Sequence, residues 1–316
     1  SDLPDSDALA SLLYGYFPPQ LRERFESVIG KHRLRREIVA TIAANQLMDR
    51  VRPTFVAETL ARTGAGMADV TRAFFITSAV FDLPNIWHGI EALDNKVPAK
   101  LQLHLFNRTA ELLERQIPWF LLEADQPLHI GAAIDSFRPG VAALCEQVRD
   151  LLPAARRAEF DSEKQDLVER GVPDALAHRL AGIRPLFAAT DMIRIGHSCA
   201  VKTVESARGY YAVGERFGLA ALRAQMREFA LDSYWDREAA AALIEEMYVH
   251  QARITQRILE ETPPGFIIDR MNSWMGDRAG IIERIEGLLR EVDRSAANKL
   301  SVLTLVNRNL RVLVTG

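Results

Sequence analysis

Cysteine is nearly absent from this sequence, with only Cys145 and Cys199 among 316 residues. Two thiols provide neither a disulfide framework nor a four-thiolate metal site, and such usage fits a reducing cytoplasm. An excess of one charge is lacking as well. With 39 Lys and Arg against 42 Asp and Glu, the formal net charge is −3, which argues against a strongly basic nucleic-acid binder and against a polyanionic tail. Long hydrophobic runs do not occur. Stretches such as Trp119 to Leu122 and Val312 to Val314 stop well before membrane-spanning length, so a soluble chain with no membrane partner is expected.

Familiar catalytic motifs are missing too. Gly64-Ala65-Gly66 supplies two glycines of a dinucleotide turn, but Asp69 stands where the third would be and no strand precedes it. The chain has no GxxxxGK[ST] phosphate loop and no HExxH zinc helix, and none of its seven histidines follows a Glu by three residues as di-iron helices require. A run of aspartates on one helix face, which could hold magnesium for isoprenoid chemistry, is also absent.

What remains is ordinary globular composition, 48% hydrophobic and 26% charged, arranged with a helical period almost throughout. Between Leu101 and Phe120, Leu103, Phe106, Ala110, Leu113, Ile117 and Phe120 step by three and four, which predicts a core-facing stripe; Pro118 should kink or end that helix within a turn. A second long helix is expected from Ser233 to Glu261, with Leu243, Met247, Ile254 and Ile258 on one side, closed by Pro263-Pro264-Gly265. Lys31 to Arg50 reads as a helix with Leu34, Ile38 and Ile42 on one side. Pro53 and Pro98 suit helical first turns, and Gly64-Ala65-Gly66 separates a helix ending near Arg62 from one starting near Met67. Pro173-Asp174-Ala175 opens another helix, weakened by Gly182, and Leu303, Val306, Leu310 and Leu313 mark a last one. No segment alternates as a strand would, and no fixed repeat is present. The predicted fold is therefore all-α, a multi-helix bundle over residues 1–316 without significant sheet. It forms one body or two packed halves, 1–155 and 156–316, joined near the polar stretch Arg156 to Arg170.

Several fragments resemble chemistry. Gly196-His197-Ser198-Cys199-Ala200 is close to a nucleophile elbow, but the preceding Asp191 to Ile195 reads as helix where the elbow needs a strained strand-to-helix turn. Small residues at a helix contact, with Cys199 as a small buried hydrophobe, are the preferred reading. Glu246 and His250 are four apart and could share a metal, yet His250 falls on the apolar stripe, so a partly buried, hydrogen-bonded histidine is expected. Lys31 to Glu37 is the one dense basic cluster; Arg33 and Glu37 have i,i+4 spacing, and a solvated face or a salt-bridged contact with a neighbouring domain is favoured over nucleic acid. Trp87, Trp119, Tyr210, Tyr211, Trp235 and Trp274 read as core and interface anchors. No catalytic, cofactor-binding or metal residue is assigned.

The order of several blocks carries a resemblance. Tyr16-Phe17-Pro18, His32-Arg33-Leu34-Arg35-Arg36-Glu37-Ile38 and Thr54-Phe55-Val56 come first. Ile90-Glu91-Ala92-Leu93-Asp94-Asn95-Lys96-Val97-Pro98-Ala99 follows, then Gly171-Val172-Pro173, Asp191-Met192-Ile193 and Tyr210 through Leu219. Together with Trp235 and the helix after it, nearly the whole chain resembles the large bacterial NAD-specific glutamate dehydrogenases, in the stretch following their catalytic domain. The bland run Ala239 to Ala242 and Pro118 depart from that pattern.

The resemblance implies a cytoplasmic, homo-oligomeric parent enzyme converting L-glutamate to 2-oxoglutarate and ammonium with reduction of NAD. It also implies that this chain is the helical C-terminal domain, with no cofactor of its own and a structural, oligomerisation or regulatory role, its partner being the catalytic domain of the same polypeptide. The opening Ser1-Asp2-Leu3-Pro4-Asp5, without an initiator Met or a signal-peptide pattern, is read as the start of a piece of that longer chain. A free-standing helical interaction module is the alternative.

Overall fold

The computed structural model describes residues 3–6, 9–228, 233–294 and 299–315. The opening Ser1-Asp2 pair read above lies outside the described residues. Among those described, the chain forms seventeen α-helices, short 3-10 turns and no strand. By its internal packing it divides into two compact units, one of residues Ser1–Cys145 with Phe160–Phe187, the other of Glu146–Glu159 with Ala188–Gly316.

The first unit runs through α1 (Ala10–Tyr16), α2 (Pro19–Ile29), α3 (Arg35–Arg50), α4 (Phe55–Thr63), α5 (Met67–Val80), α6 (Leu83–Glu91) and α7 (Ala99–Leu122). It also holds most of α8 (Ile130–Leu151), the later part of α9 (Ala154–Glu169) and α10 (Asp174–Gly182). The glycine punctuation works as expected. Gly64 caps α4 with φ at 69°, a left-handed conformation that glycine adopts without a Cβ clash, and its N–H donates to the Leu60 carbonyl at 3.0 Å. Helix α5 then starts at Met67. Pro98 stands at the head of α7, whereas Pro53 lies outside α4, whose N-cap is Thr54.

Two predicted stripes need correction. In α7 Leu103 is 61% exposed, and the face that packs on α5 and α6 contains Leu101, Leu105, Leu112, Leu113, Ile117 and Phe120. The buried side also accepts Arg108, Thr109 and Gln116, which stepping by apolar residues overlooks. Each has a partner: Arg108, 1% exposed, donates through Nη1 to Glu163; Thr109 Oγ1 accepts from Trp87 Nε1 at 3.0 Å; Gln116 Nε2 donates to the Phe187 carbonyl at 2.7 Å. Pro118 sits inside α7, which ends four residues later at Leu122, as the missing amide leads one to expect. In α3 the buried residues are Val39, Ala43 and Leu47, a stripe that follows the predicted Ile38 and Ile42 by one residue and leaves out Leu34. The helix begins at Arg35, so Leu34 is its exposed N-cap.

The second unit contains α11 (Ala189–Ser198), α12 (Thr203–Arg216), α13 (Leu219–Glu228), α14 (Tyr234–Glu261), α15 (Ile267–Gly276), α16 (Ala279–Arg294) and α17 (Lys299–Thr315). Ser233 caps α14 by accepting from the Trp235 amide at 3.1 Å, and the helix stops two residues before Pro263-Pro264. Its stripe, Met247, Ile254 and Ile258, meets Leu303, Val306, Leu310 and Leu313 of α17 in one core with Met271 and Trp274 of α15. Of the six aromatic anchors, five are buried; Trp235 is the exception, largely exposed at the head of α14.

The corrected register of α7 is directly measurable. Leu105→Ala removes a fully buried side chain and should cost about 2–5 kcal/mol in urea denaturation, while Leu103→Ala should stay within about 0.5 kcal/mol of the parent. Equal costs would return the stripe to its predicted position.

Candidate functional site

The densest polar chemistry of the second unit gathers along α14. At its centre Gln251 is buried, and a buried amide must find partners for both ends. Its Oε1 accepts from Arg223 Nη1 of α13 at 2.9 Å, and its Nε2 donates to the Tyr210 carbonyl of α12 at 2.7 Å. The Arg223 guanidinium lies over the Tyr248 ring, 4.1 Å from the centroid, where the ring face offsets the burial of the charge. Space for the amide exists because residue 214 is glycine. A Cβ there would overlap Gln251 Nε2.

At the C-terminal end of α14 arginines take up the carbonyls that the helix leaves without amide partners. Arg270 of α15, itself buried, donates through Nη2 to the carbonyls of Leu259 at 2.7 Å and Thr262 at 3.1 Å, and through Nε to Thr262 Oγ1 at 2.9 Å. Its Nη1 reaches Glu205 of α12 at 3.4 Å. Arg257 does the same for α17, donating to the Val314 carbonyl at 2.6 Å. Glu261, the last residue of α14, accepts from Trp274 Nε1 at 2.8 Å and Arg278 Nη2 at 2.7 Å, and pairs with Arg257. Desolvation pushes its carboxyl up, but the hydrogen bonds from Arg257 and Trp274 and the charges of Arg257 and Arg278 outweigh it and hold the group below the usual carboxylate range.

The fragments singled out in the sequence fall around this cluster without forming a catalytic set. Gly196 lies where α11 and α12 cross: a Cβ would come 3.2 Å from the Val201 carbonyl oxygen and 3.5 Å from Ser206 Oγ, so small size is what the contact requires. The residues before it are helical, as expected, and Ser198 ends that helix on the exposed side. Cys199 is half-buried. Burial first, then the Glu260 charge, raise its thiol pKa against the opposing charge of Arg270, which disfavours a thiolate nucleophile.

His250 contradicts its expectation. It is 5% exposed, and neither ring nitrogen has a protein hydrogen-bond partner. Glu246, the proposed metal partner, instead accepts from Asn307 Nδ2 of α17. Burial lowers the His250 pKa, with Arg253 and Arg311 adding to the effect and Glu246 opposing it. In the first unit, Arg35 and Arg36 of the basic cluster both pair with Asp5, which makes that cluster partly an internal tether. Among the described residues no group of three His, Cys, Asp or Glu could hold a metal ion, and no helix is long and apolar enough to cross a membrane.

Sequence reasoning missed Arg223, Gln251, Arg257 and Arg270. The one available signal was position: Gln251 and Thr255 interrupt the apolar side of α14 at i,i+4, while Gly209 and Gly214 on α12 mark a close approach. A Cβ at Gly209 would stand 3.1 Å from Thr255 Cγ2. The arrangement fixes helices against one another, and its donors are directed to backbone carbonyls, carboxylates, the Thr262 hydroxyl and one amide.

Comparison with known proteins follows from this chain's whole length. The family model described as "Glutamate dehydrogenase, C-terminal" matches residues 1–312. The chain is similar to the NAD-specific glutamate dehydrogenase of Halomonas elongata, 31% identical over 311 residues, and to those of Pseudomonas aeruginosa, 30% over 309, and Mycobacterium tuberculosis, 29% over 312. Each alignment takes in 98% of this chain and 19% of the relative, so the chain spans about a fifth of the length of the curated relatives it matches.

Two measurements test the site. Gly214→Ala should displace the Gln251 amide and destabilise the protein by about 1–3 kcal/mol, with Gln251→Ala in the same background recovering part of the loss. For His250 the folded pKa lies below the ordinary value of 6.5. The unfolded chain therefore binds the extra proton, so stability is full above that pH and falls as the pH drops beneath it. His250→Leu should flatten this acid slope and leave stability at neutral pH unchanged or raised; a steeper slope or a large neutral loss would show the ring to be partnered.

Proposed function

The chain belongs to the family of glutamate dehydrogenase C-terminal regions, and from that premise we propose that it is a helical structural domain of a longer, NAD-specific glutamate dehydrogenase. The parent polypeptide converts L-glutamate, NAD and water to 2-oxoglutarate, ammonium and NADH. Residues 1–316 hold the assembly together and do not carry the reacting groups. The parent is a cytoplasmic homo-oligomer, with the catalytic domain of the same polypeptide as the first partner of this region.

The observation that carries this reading is the pairing of a match over residues 1–312 with a cluster whose arginines, Arg223, Arg257 and Arg270, are directed to helix carbonyls, carboxylates and a buried amide. A residue that caps a helix end cannot also bind a substrate carboxylate without uncapping it. The thiol pKa of Cys199 is raised, and Ser198 ends a helix that continues from Ala189, with no strand leading into it, which further supports a role in architecture. NAD belongs, in this reading, to the part of the polypeptide outside this chain.

Removal of residues 1–316 from the longer polypeptide is the decisive measurement. The truncated protein should form a smaller assembly by light scattering and turn over more slowly, while the KM for NAD stays near that of the intact enzyme. Unaltered mass and unaltered kcat would overturn the structural role, and a large rise in the KM for NAD would place cofactor contacts in this region.

A further inference from the structure

In the first unit, α3, α5 and the opening residues border a cleft of about 350 Å³. Its lining is apolar. Val39, Ala43 and Leu47 come from the buried stripe of α3, and Met48 and Met67, 48% and 53% exposed, stand at α3 and α5. Among the described lining residues the one polar side chain, Thr71, already donates its hydroxyl to the Met67 carbonyl at 2.9 Å. Leu3, Pro4 and Leu9 supply the remaining border, and Asp5 fixes the turn Leu3–Asp5 to the start of α3 through Arg35 and Arg36.

This lining selects its occupant by chemistry. A dinucleotide, a dicarboxylate or a phosphate would leave its charges unpaired against methionine and alanine, at a desolvation cost that none of the described lining residues offsets. Apolar side chains suit it, and methionines adapt their shape to whatever apolar groups are presented. About four-fifths of the length of each curated relative lies outside the matching region. Leu3 and Pro4 border the cleft, so polypeptide joined ahead of them is tethered at its edge. Tethering raises the effective concentration of that polypeptide far above what a free partner reaches.

We propose that the α3–α5 cleft seats apolar side chains of the parent polypeptide from outside residues 1–316, docked in cis. This rests on the reading of the chain as one region of a longer enzyme. The test uses thiol labelling in the intact longer polypeptide, with maleimide as the probe and peptide mass mapping as the readout. Met48→Cys reports on the cleft, and Leu103→Cys, at a position 61% exposed on α7 and not part of the cleft's lining, is the control. Met48 is half exposed and its replacement removes little packing, so both variants should fold.

Docking in cis should slow labelling at Cys-substituted position 48 by more than about tenfold relative to position 103, at every protein concentration. Equal rates would overturn the proposal. Protection that vanishes on dilution would assign the cleft to a second copy of the chain and overturn it as well. Labelling does not depend on turnover, so the outcome is separable from the deletion measurement: fast labelling in an enzyme whose assembly requires residues 1–316 defeats the cleft assignment and leaves the structural role in place.

Discussion

A buried amide on the longest helix imposes the constraint from which the second unit follows. Gln251 cannot leave its oxygen or its nitrogen unpaired inside α14, and the partners it finds, Arg223 and the Tyr210 carbonyl, belong to α13 and α12. Meeting both at once sets how closely α12 approaches, which in turn demands glycine at position 214 and brings Gly209 against Thr255. With those helices placed, the apolar stripe of α14 is left to α17 and α15, and the core of Met247, Ile254, Trp274 and Leu310 closes on that side.

Arginine carries much of the remaining order. Arg270 and Arg257 end α14 and α17 by supplying the missing donors, while Arg257 and Arg278 offset the charge of Glu261, and Trp274 hydrogen-bonds it, at a helix terminus where the dipole disfavours negative charge. In the first unit Arg179 plays a related part, holding the left-handed Asp82 through its carboxylate and its carbonyl. Several of the cations of this nearly neutral chain are thus engaged in fixing helices.

Helix ends were legible because their causes are local. Pro263-Pro264 stops α14, Gly64-Ala65-Gly66 separates α4 from α5, and Ser233 caps the helix that follows it, each by a property of the residue itself. The α17 stripe was legible too: Leu303, Val306, Leu310 and Leu313 step by three and four and are buried, although Leu305 and Val312 are as apolar and lie exposed. In α7, by contrast, Leu101, Leu103 and Leu105 are equally apolar, and the choice among them was made by Arg108, Thr109 and Gln116, whose partners Glu163, Trp87 and Phe187 lie far away in sequence. His250 shows the same limit from the other side: its place on the stripe predicted burial, but only its neighbours could decide that no partner reaches the ring.

The sequence by itself therefore determined the all-helical class, several helix ends, the absence of familiar catalytic motifs and, through ordered blocks of residues, the family. Those rest on backbone conformational preference and hydrophobic period, which act within a few turns of chain. Only the tertiary structure decided which face of α3 and α7 is buried, where the arginines go and that an apolar cleft opens beside Met48 and Met67. Satisfying a buried polar group, or leaving an apolar one exposed, depends on atoms brought together from distant parts of the chain, and no local pattern encodes that meeting.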